Sequence, residues 1–221
     1  MAISKFVIAC YPSFGLQFSI KLIMKKITLS IIFFFVFILF GCEQKPIIED
    51  YKIEGIGIGD SLLNHISKYD IIDGIEKNRP FYNYLNDEFG EVYLYDNLSI
   101  YDRVSFFVKP NDENYIIYSI RGSISYDNKL DECLARRKEI EEEFSSIFKK
   151  AKKEYWSGEY PFDPTGESKN QTVTFYLDTG DSITAGCSKF EKNLKIINGF
   201  EDSLSVAVDS KEVRYWFSQS S

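Results

Sequence analysis

The chain is 221 residues long, room for one domain with or without a targeting segment, and its 19 Phe and 15 Tyr are ample for a hydrophobic core. Four of its 26 basic residues (Lys5, Lys21, Lys25, Lys26) precede Cys42 and none of its 33 acidic residues does, so the remainder carries 22 basic against 33 acidic groups, a formal charge of −11. That sign argues against nucleic acid as a partner, because such binding rests on basic groups neutralising phosphates, and against adhesion to anionic lipid through protein charge alone.

Residues 1–23 hold an apolar stretch, Phe6–Ile20. They read as a mis-assigned start, with Met24 the initiator, or as a long n-region; Cys10 then has no functional part. From Met24 the order is Lys25-Lys26, the apolar run Ile27–Phe40, then Gly41-Cys42. The run is short for a membrane span, which needs ~20 apolar residues, and fits a signal-peptide core. Its end, Leu39-Phe40-Gly41-Cys42, resembles the bacterial lipobox, in which a small residue precedes a cysteine acylated on its thiol. Phe40 is bulkier than the residue usual there.

The resemblance implies a signal segment over 24–42, palmitate-type lipidation at Cys42, and an envelope lipoprotein held to the lipid bilayer by its acyl chains. Glu43 is not the aspartate that tends to retain such proteins at the inner membrane, which favours the outer membrane. The alternatives are an uncleaved N-terminal anchor or an apolar helix with a chance cysteine. Residues 43–51 read as a tether, its Glu43–Asp50 stretch reaching at most ~25–28 Å.

The expected fold of residues 52–221 is a single α+β domain, an antiparallel sheet with one long helix on one face, preceded by the signal or anchor helix. Ile53–Ile58 is a short apolar alternation broken by Gly55, Gly57 and Gly59. A first helix is expected from Asp60 or Ser61 to about Lys68. Residues 70–90 are ambiguous, and Val92–Tyr95 suggests a brief strand. Arg103–Lys109 and Tyr115–Tyr126 predict a hairpin, with Val104, Phe106 and Val108 on one side and Ile116, Tyr118, Ile120 and Ile124 inward.

The long helix is expected over Asp131–Lys153. Its acidic first turn and lysine-rich end suit the helix dipole, and Glu139, Glu141, Glu142 and Glu143 read as its solvated face. A Gly/Pro/aromatic loop follows (Glu154–Asn170). Then come Thr172–Leu177 and Ser182–Ser188 as a hairpin, and Leu194–Ile197, Leu204–Val208 and Val213–Phe217 as a meander with an Asn198-Gly199 turn.

With Cys10 and Cys42 set aside, Cys133 and Cys187 remain. Cys133 shares a helical stripe with Ile140 and Phe144, and Cys187 alternates with Ile183 and Ala185, so both are expected at one helix–sheet interface. An exported domain is oxidised, and a disulfide closing roughly 55 residues stabilises by ~4 kcal/mol in the chain-entropy model. Two buried free thiols are the alternative. No metal or other cofactor is expected: the chain has one histidine and no C-x-x-C.

No catalytic residue is assigned. Asp178-Thr179-Gly180 after Phe175-Tyr176-Leu177 resembles the aspartic-protease signature. Asp181 departs from that pattern, no second copy follows, and Asp-Thr-Gly-Asp serves equally as a turn. His65 is expected to be an ordinary helix residue. Gly55-x-Gly57-x-Gly59 lacks dinucleotide spacing and is expected to ease entry to the first helix.

Tyr155, Trp156, Tyr160 and Phe162 are the candidate binding residues, on the aromatic loop, with packing against the core as their other reading. Three functions follow. The leading expectation is a non-enzymatic domain contacting an envelope protein partner, with an exposed apolar patch or sheet edge. The next is a small-ligand module with a pocket of about 300 Å³ or more near Trp156. Last is a hydrolase built on carboxylates such as Asp178 and Asp181.

Overall fold

The computed structural model describes residues 48–160 and 163–219. Residues 1–23, the signal segment with Cys42, the tether as far as residue 47, and Phe162 lie outside the described residues. Among those described, no helix is long and apolar enough to cross a membrane. Ile48 is buried in the core, so the chain is docked on the domain from there onward.

Strands β1 (Lys52–Ile53) and β2 (Ile56–Gly57) form a small hairpin. Its two turn residues, Glu54 (φ 54°) and Gly55 (φ 81°), are both left-handed, the geometry that lets a two-residue turn follow strand twist. The glycine run is therefore a hairpin and not a helix entry. The segment after it is a 3-10 turn, Leu62–Asn64, held by Leu62 N–H donating to Tyr115 O. The first true helix, α1 (Lys68–Asn78), starts where the sequence reading ended one, because Ser67 caps it by accepting from Asp70 N–H.

Seven strands make one antiparallel sheet: β3 (Gly90–Leu94), β4 (Arg103–Val108), β5 (Ile117–Ser125), β6 (Lys152–Glu159), β7 (Lys169–Tyr176), β8 (Ser182–Lys189) and β9 (Ser203–Asp209). Their order is β3-β4-β5-β9-β8-β7-β6. The register shifts between Phe107 and Val108, where Phe107 pairs with Ser119 and Val108 with Ile117. This irregularity puts Ile117 and Ile120 in the main core and turns Tyr118 to the other face, where it meets Phe89. Of the expected inward set Ile116, Tyr118, Ile120 and Ile124, Ile120 lies in the core as expected, while Tyr118 is corrected to the other face and Ile117 takes the inward place expected of Ile116.

Four helices occur among the described residues, giving a mixed α/β domain. Helix α2 (Leu130–Ile147) buries Cys133, Ile140 and Phe144 against the sheet and stops short of the expected Lys153. Phe148 ends it by folding onto Phe175 (ring centroids 6.3 Å), and Lys152 and Lys153 begin β6 instead of closing the helix. Glu141, expected in solvent, accepts from Lys153 Nζ (3.3 Å) and Tyr155 OH.

Two segments expected as strands are helices: α3 (Lys192–Asn198) and α4 (Lys211–Ser218). Both carry side-chain caps, Glu191 accepting from Asn193 and Leu194 N–H, and Ser210 from Val213 N–H. Gly199 (φ 68°) follows α3 as its left-handed C-cap, so Asn198-Gly199 is not a hairpin turn. Short apolar runs do not distinguish the two periods, and here the capping groups decide.

One face of the sheet carries the main core, with α1, α2 and the β1–β2 hairpin over it. Cys133 on α2 and Cys187 on β8 are joined by a disulfide there, with Cα atoms 6.0 Å apart. The opposite face has a smaller aromatic core of Phe89, Phe107, Val213 and Trp216 at the α4 end. The rest of that face is polar.

Candidate ligand-binding cavity

Polar alternation in the strands usually marks a sheet face open to water. Here it makes a floor. One cross-strand row runs Tyr93, Ser105, Arg121, Ala207, and the next runs Arg103, Ser123, Ser205, Gly186, Thr172. A third passes Ser125, Ser203, Ser188, Asn170. Small side chains on several adjacent strands leave the floor low, while larger groups rise around it.

The result is a cavity of about 670 Å³, within the range of small-ligand sites. One wall comes from α1 and the 3-10 turn Arg79–Tyr82, with Asn78, Pro80, Phe81 and Tyr82 on the lining. Asn78 fixes this wall by donating to Glu91 O and Gly74 O, each at 3.0 Å. The facing wall is an aromatic triad. Tyr160 packs edge-on against Phe190 (5.3 Å) and Phe200 (5.8 Å), which meet each other at 4.9 Å. A lobe of about 270 Å³ shares Tyr95, Arg103, Ser123 and Ser203 and extends to Asp102.

The electrostatics of the floor are balanced. Arg121 makes no hydrogen bond or close ion pair with another described residue, yet Asp209 and Glu91 lie near it. Burial opposes its charge, and those two carboxylates outweigh burial, holding the guanidinium above its ordinary value. Glu91, itself buried, accepts from Tyr82 OH at 2.7 Å, and Asp209 accepts from Ser119 at 2.5 Å. Burial first, and Glu91 second, push the Tyr82 and Tyr93 phenols up, so both stay protonated donors. Arg103 is paired with Glu201 at 2.9 Å. Ser105, Ser123 and Ser203 are buried and line the cavity, and their hydroxyls make no hydrogen bond to another described residue.

The residues singled out in the sequence scatter around this site. Tyr160 lines it. Tyr155 and Trp156 lie on strand β6 and not on a loop. Tyr155 faces α2 through Glu141, whereas Trp156 pairs with Thr172 in the second polar row and covers Gly158. Trp156 thus shares the cavity's face but is not among its lining residues. Asp178-Thr179-Gly180-Asp181 is a hairpin turn, with Gly180 N–H donating to Leu177 O. Asp181 accepts from Thr179 and from Lys211 N–H, bracing the start of α4, and neither aspartate lines the cavity. His65 is exposed on the turn after Leu62–Asn64. No cluster able to hold a metal occurs among the described residues.

Sequence reasoning missed Arg121, Ser123, Ser203, Ser205 and Glu91. The available signal was a charged residue at one register position of an otherwise small-polar strand face. Comparison with protein-family models, curated proteins and solved structures finds nothing that matches this chain.

Proposed function

We propose that this domain is a small-ligand receptor, tethered to a bacterial envelope membrane through acylated Cys42, and that the polar sheet face is its binding site. The observation that carries the reading is the cavity of about 670 Å³ over a floor of buried serines whose hydroxyls have no described protein partner. Hydroxyls that open onto a cavity can both donate to and accept from a bound polar molecule. The anchoring part rests on the Leu39-Phe40-Gly41-Cys42 pattern. With Ile48 docked in the core, residues 43–47 would span at most ~16–18 Å, keeping the domain close to the bilayer surface.

The test is retention. Full-length protein is purified in mild detergent from its host's envelope, and molecules released on denaturation are identified by mass spectrometry. A defined small molecule should accompany the wild type and be lost from S205W, which fills the floor. Equal recovery from both, or none from either, would count against the cavity as a site.

A second reading, docking of an envelope protein, is favoured by the edge strand β6. It lies at the end of the sheet, and Tyr155 and Trp156 on it are 61% and 47% exposed. An unpaired edge can accept an extended segment of a partner by strand addition. A photocrosslinker placed at Trp156 tests it: a defined adduct in intact envelopes supports docking, and an unmodified chain argues against it.

A further inference from the structure

We propose that the ligand is a neutral saccharide of about disaccharide size. This deepens the cavity reading above and rests on it.

Charge is the first argument. The two arginines at the floor, Arg103 and Arg121, are matched by Glu201 and by Glu91 with Asp209. Two cations against three carboxylates leave no surplus positive charge for a phosphate or a dicarboxylate. Such ligands are held by guanidinium forks whose donors pair bidentately with the anion, and here those charges are already offset by carboxylates of the chain. A free cation fares no better, because Arg121 occupies the middle of the floor.

Hydroxyl chemistry is the second. Ser105, Ser123 and Ser203 are each buried, each reach the cavity, and have both donor and acceptor capacity unused by described residues. A set of groups that both give and accept, spaced along neighbouring strands, matches a ligand whose own groups do the same around a ring. Arg121 adds donors that a ring or hydroxyl oxygen can accept without carrying charge.

The third argument is the rim. Tyr93 and Tyr95 stack at 5.9 Å with their planes 18° apart, and both line the cavity. Tyr95 is 63% exposed. A flat, exposed ring at the mouth of a hydroxyl-lined cavity offers an apolar face to the C–H side of a sugar while the floor takes its hydroxyls. A wholly polar solute has no use for that face, and a wholly apolar one cannot satisfy the serines.

Isothermal titration of the detergent-solubilised full chain against three probe sets tests the proposal: neutral disaccharides (maltose, cellobiose, chitobiose), anions (inorganic phosphate, succinate), and zwitterions (glycine, alanyl-alanine). At least one neutral disaccharide should bind. Y95A, an exposed position that leaves the floor intact, should weaken it by about 3–10-fold, and S205W should abolish it. Binding confined to the anions or zwitterions overturns the saccharide class and leaves the cavity reading standing. No binding from any set, or disaccharide binding unchanged in S205W, overturns both.

Discussion

Lys195 on α3 donates to the carboxylate of Asp202 at 2.7 Å, and that carboxylate is almost wholly buried. Asp202 also accepts from Phe190 N–H (2.8 Å) and Asn128 N–H (3.2 Å), so one side chain joins the ends of β8, α3 and the turn before α2. Phe190 and Phe200 flank this knot, and it sets one wall of the cavity. D202A should cost about 3 kcal/mol, since it strips two amides of their acceptor at a buried point and leaves Lys195 with Asp127 alone. K195M should cost less, about 1–2 kcal/mol, because the amides still satisfy the carboxylate. Urea midpoints for both variants and the double mutant measure this, and a cycle with no coupling would contradict it.

Glu54 makes the stability of the β1–β2 hairpin depend on pH. Its carboxylate accepts from the N–H groups of Ser99 (2.9 Å), Ile100 (2.6 Å) and Tyr101 (3.0 Å), tying the hairpin to the loop before β4. Burial pushes its pKa up, but the amides of Ser99, Tyr101 and Ile100 outweigh burial and hold it below the ordinary value of 4.5. A depressed folded pKa contributes stability above the unfolded value, and that contribution is lost as pH falls through the folded one. E54Q should therefore lower stability by about 1 kcal/mol at pH 7. The gap to wild type should narrow below about pH 4.5. A gap that stays constant down to pH 2 would remove the carboxylate from the explanation.

The Cys133–Cys187 bridge spans 54 positions and pins α2 to β8, with both residues essentially inaccessible to solvent. Removing it as C133A/C187A should cost about 4 kcal/mol from chain entropy alone. A thiol-blocking reagent should add no group at Cys133 or Cys187 of the native protein without reductant. After denaturation in reductant it should add two more groups than it does after denaturation alone.

How much of this was legible in the sequence follows from which physical signals are local. The β4–β5 and β7–β8 hairpins, the start of α2 and the cysteine pairing could be read because strand alternation and the helical stripe through Cys133, Ile140 and Phe144 each span many residues. Helices α3 and α4 were mistaken for strands because each is one or two turns long, and an apolar run such as Leu194–Ile197 fits both periods. The caps were present in the text as Glu191 and Ser210. The Ile117/Tyr118 face change depends on a register shift that only pairing with Phe107 and Val108 reveals. The cavity was invisible for a different reason: Ser119, Arg121 and Ser123 alternate as a solvent face would, and only the α1 segment and the Tyr160 triad, distant in sequence, enclose it.

Gly90 tests how closely α1 must sit for that enclosure. A Cβ at residue 90 would stand 2.7 Å from Cγ2 and 2.9 Å from Cγ1 of Ile75, both buried in the main core. No rotation of a branched side chain clears two such contacts, so G90A must push α1 off β3, at a cost of about 1–3 kcal/mol. I75A alone should cost about 2–5 kcal/mol through its cavity. In G90A/I75A the new methyl occupies space the isoleucine vacated, and the pair should cost clearly less than the sum of the two. Asn78 ends α1 and donates to Glu91 O, so the shift in G90A should also move the cavity wall. Amide exchange at Asn78 and Glu91 should accelerate in G90A and return toward wild type in the double variant. Additive costs, with exchange unchanged in either, would show that α1 packs on β3 through contacts other than this one.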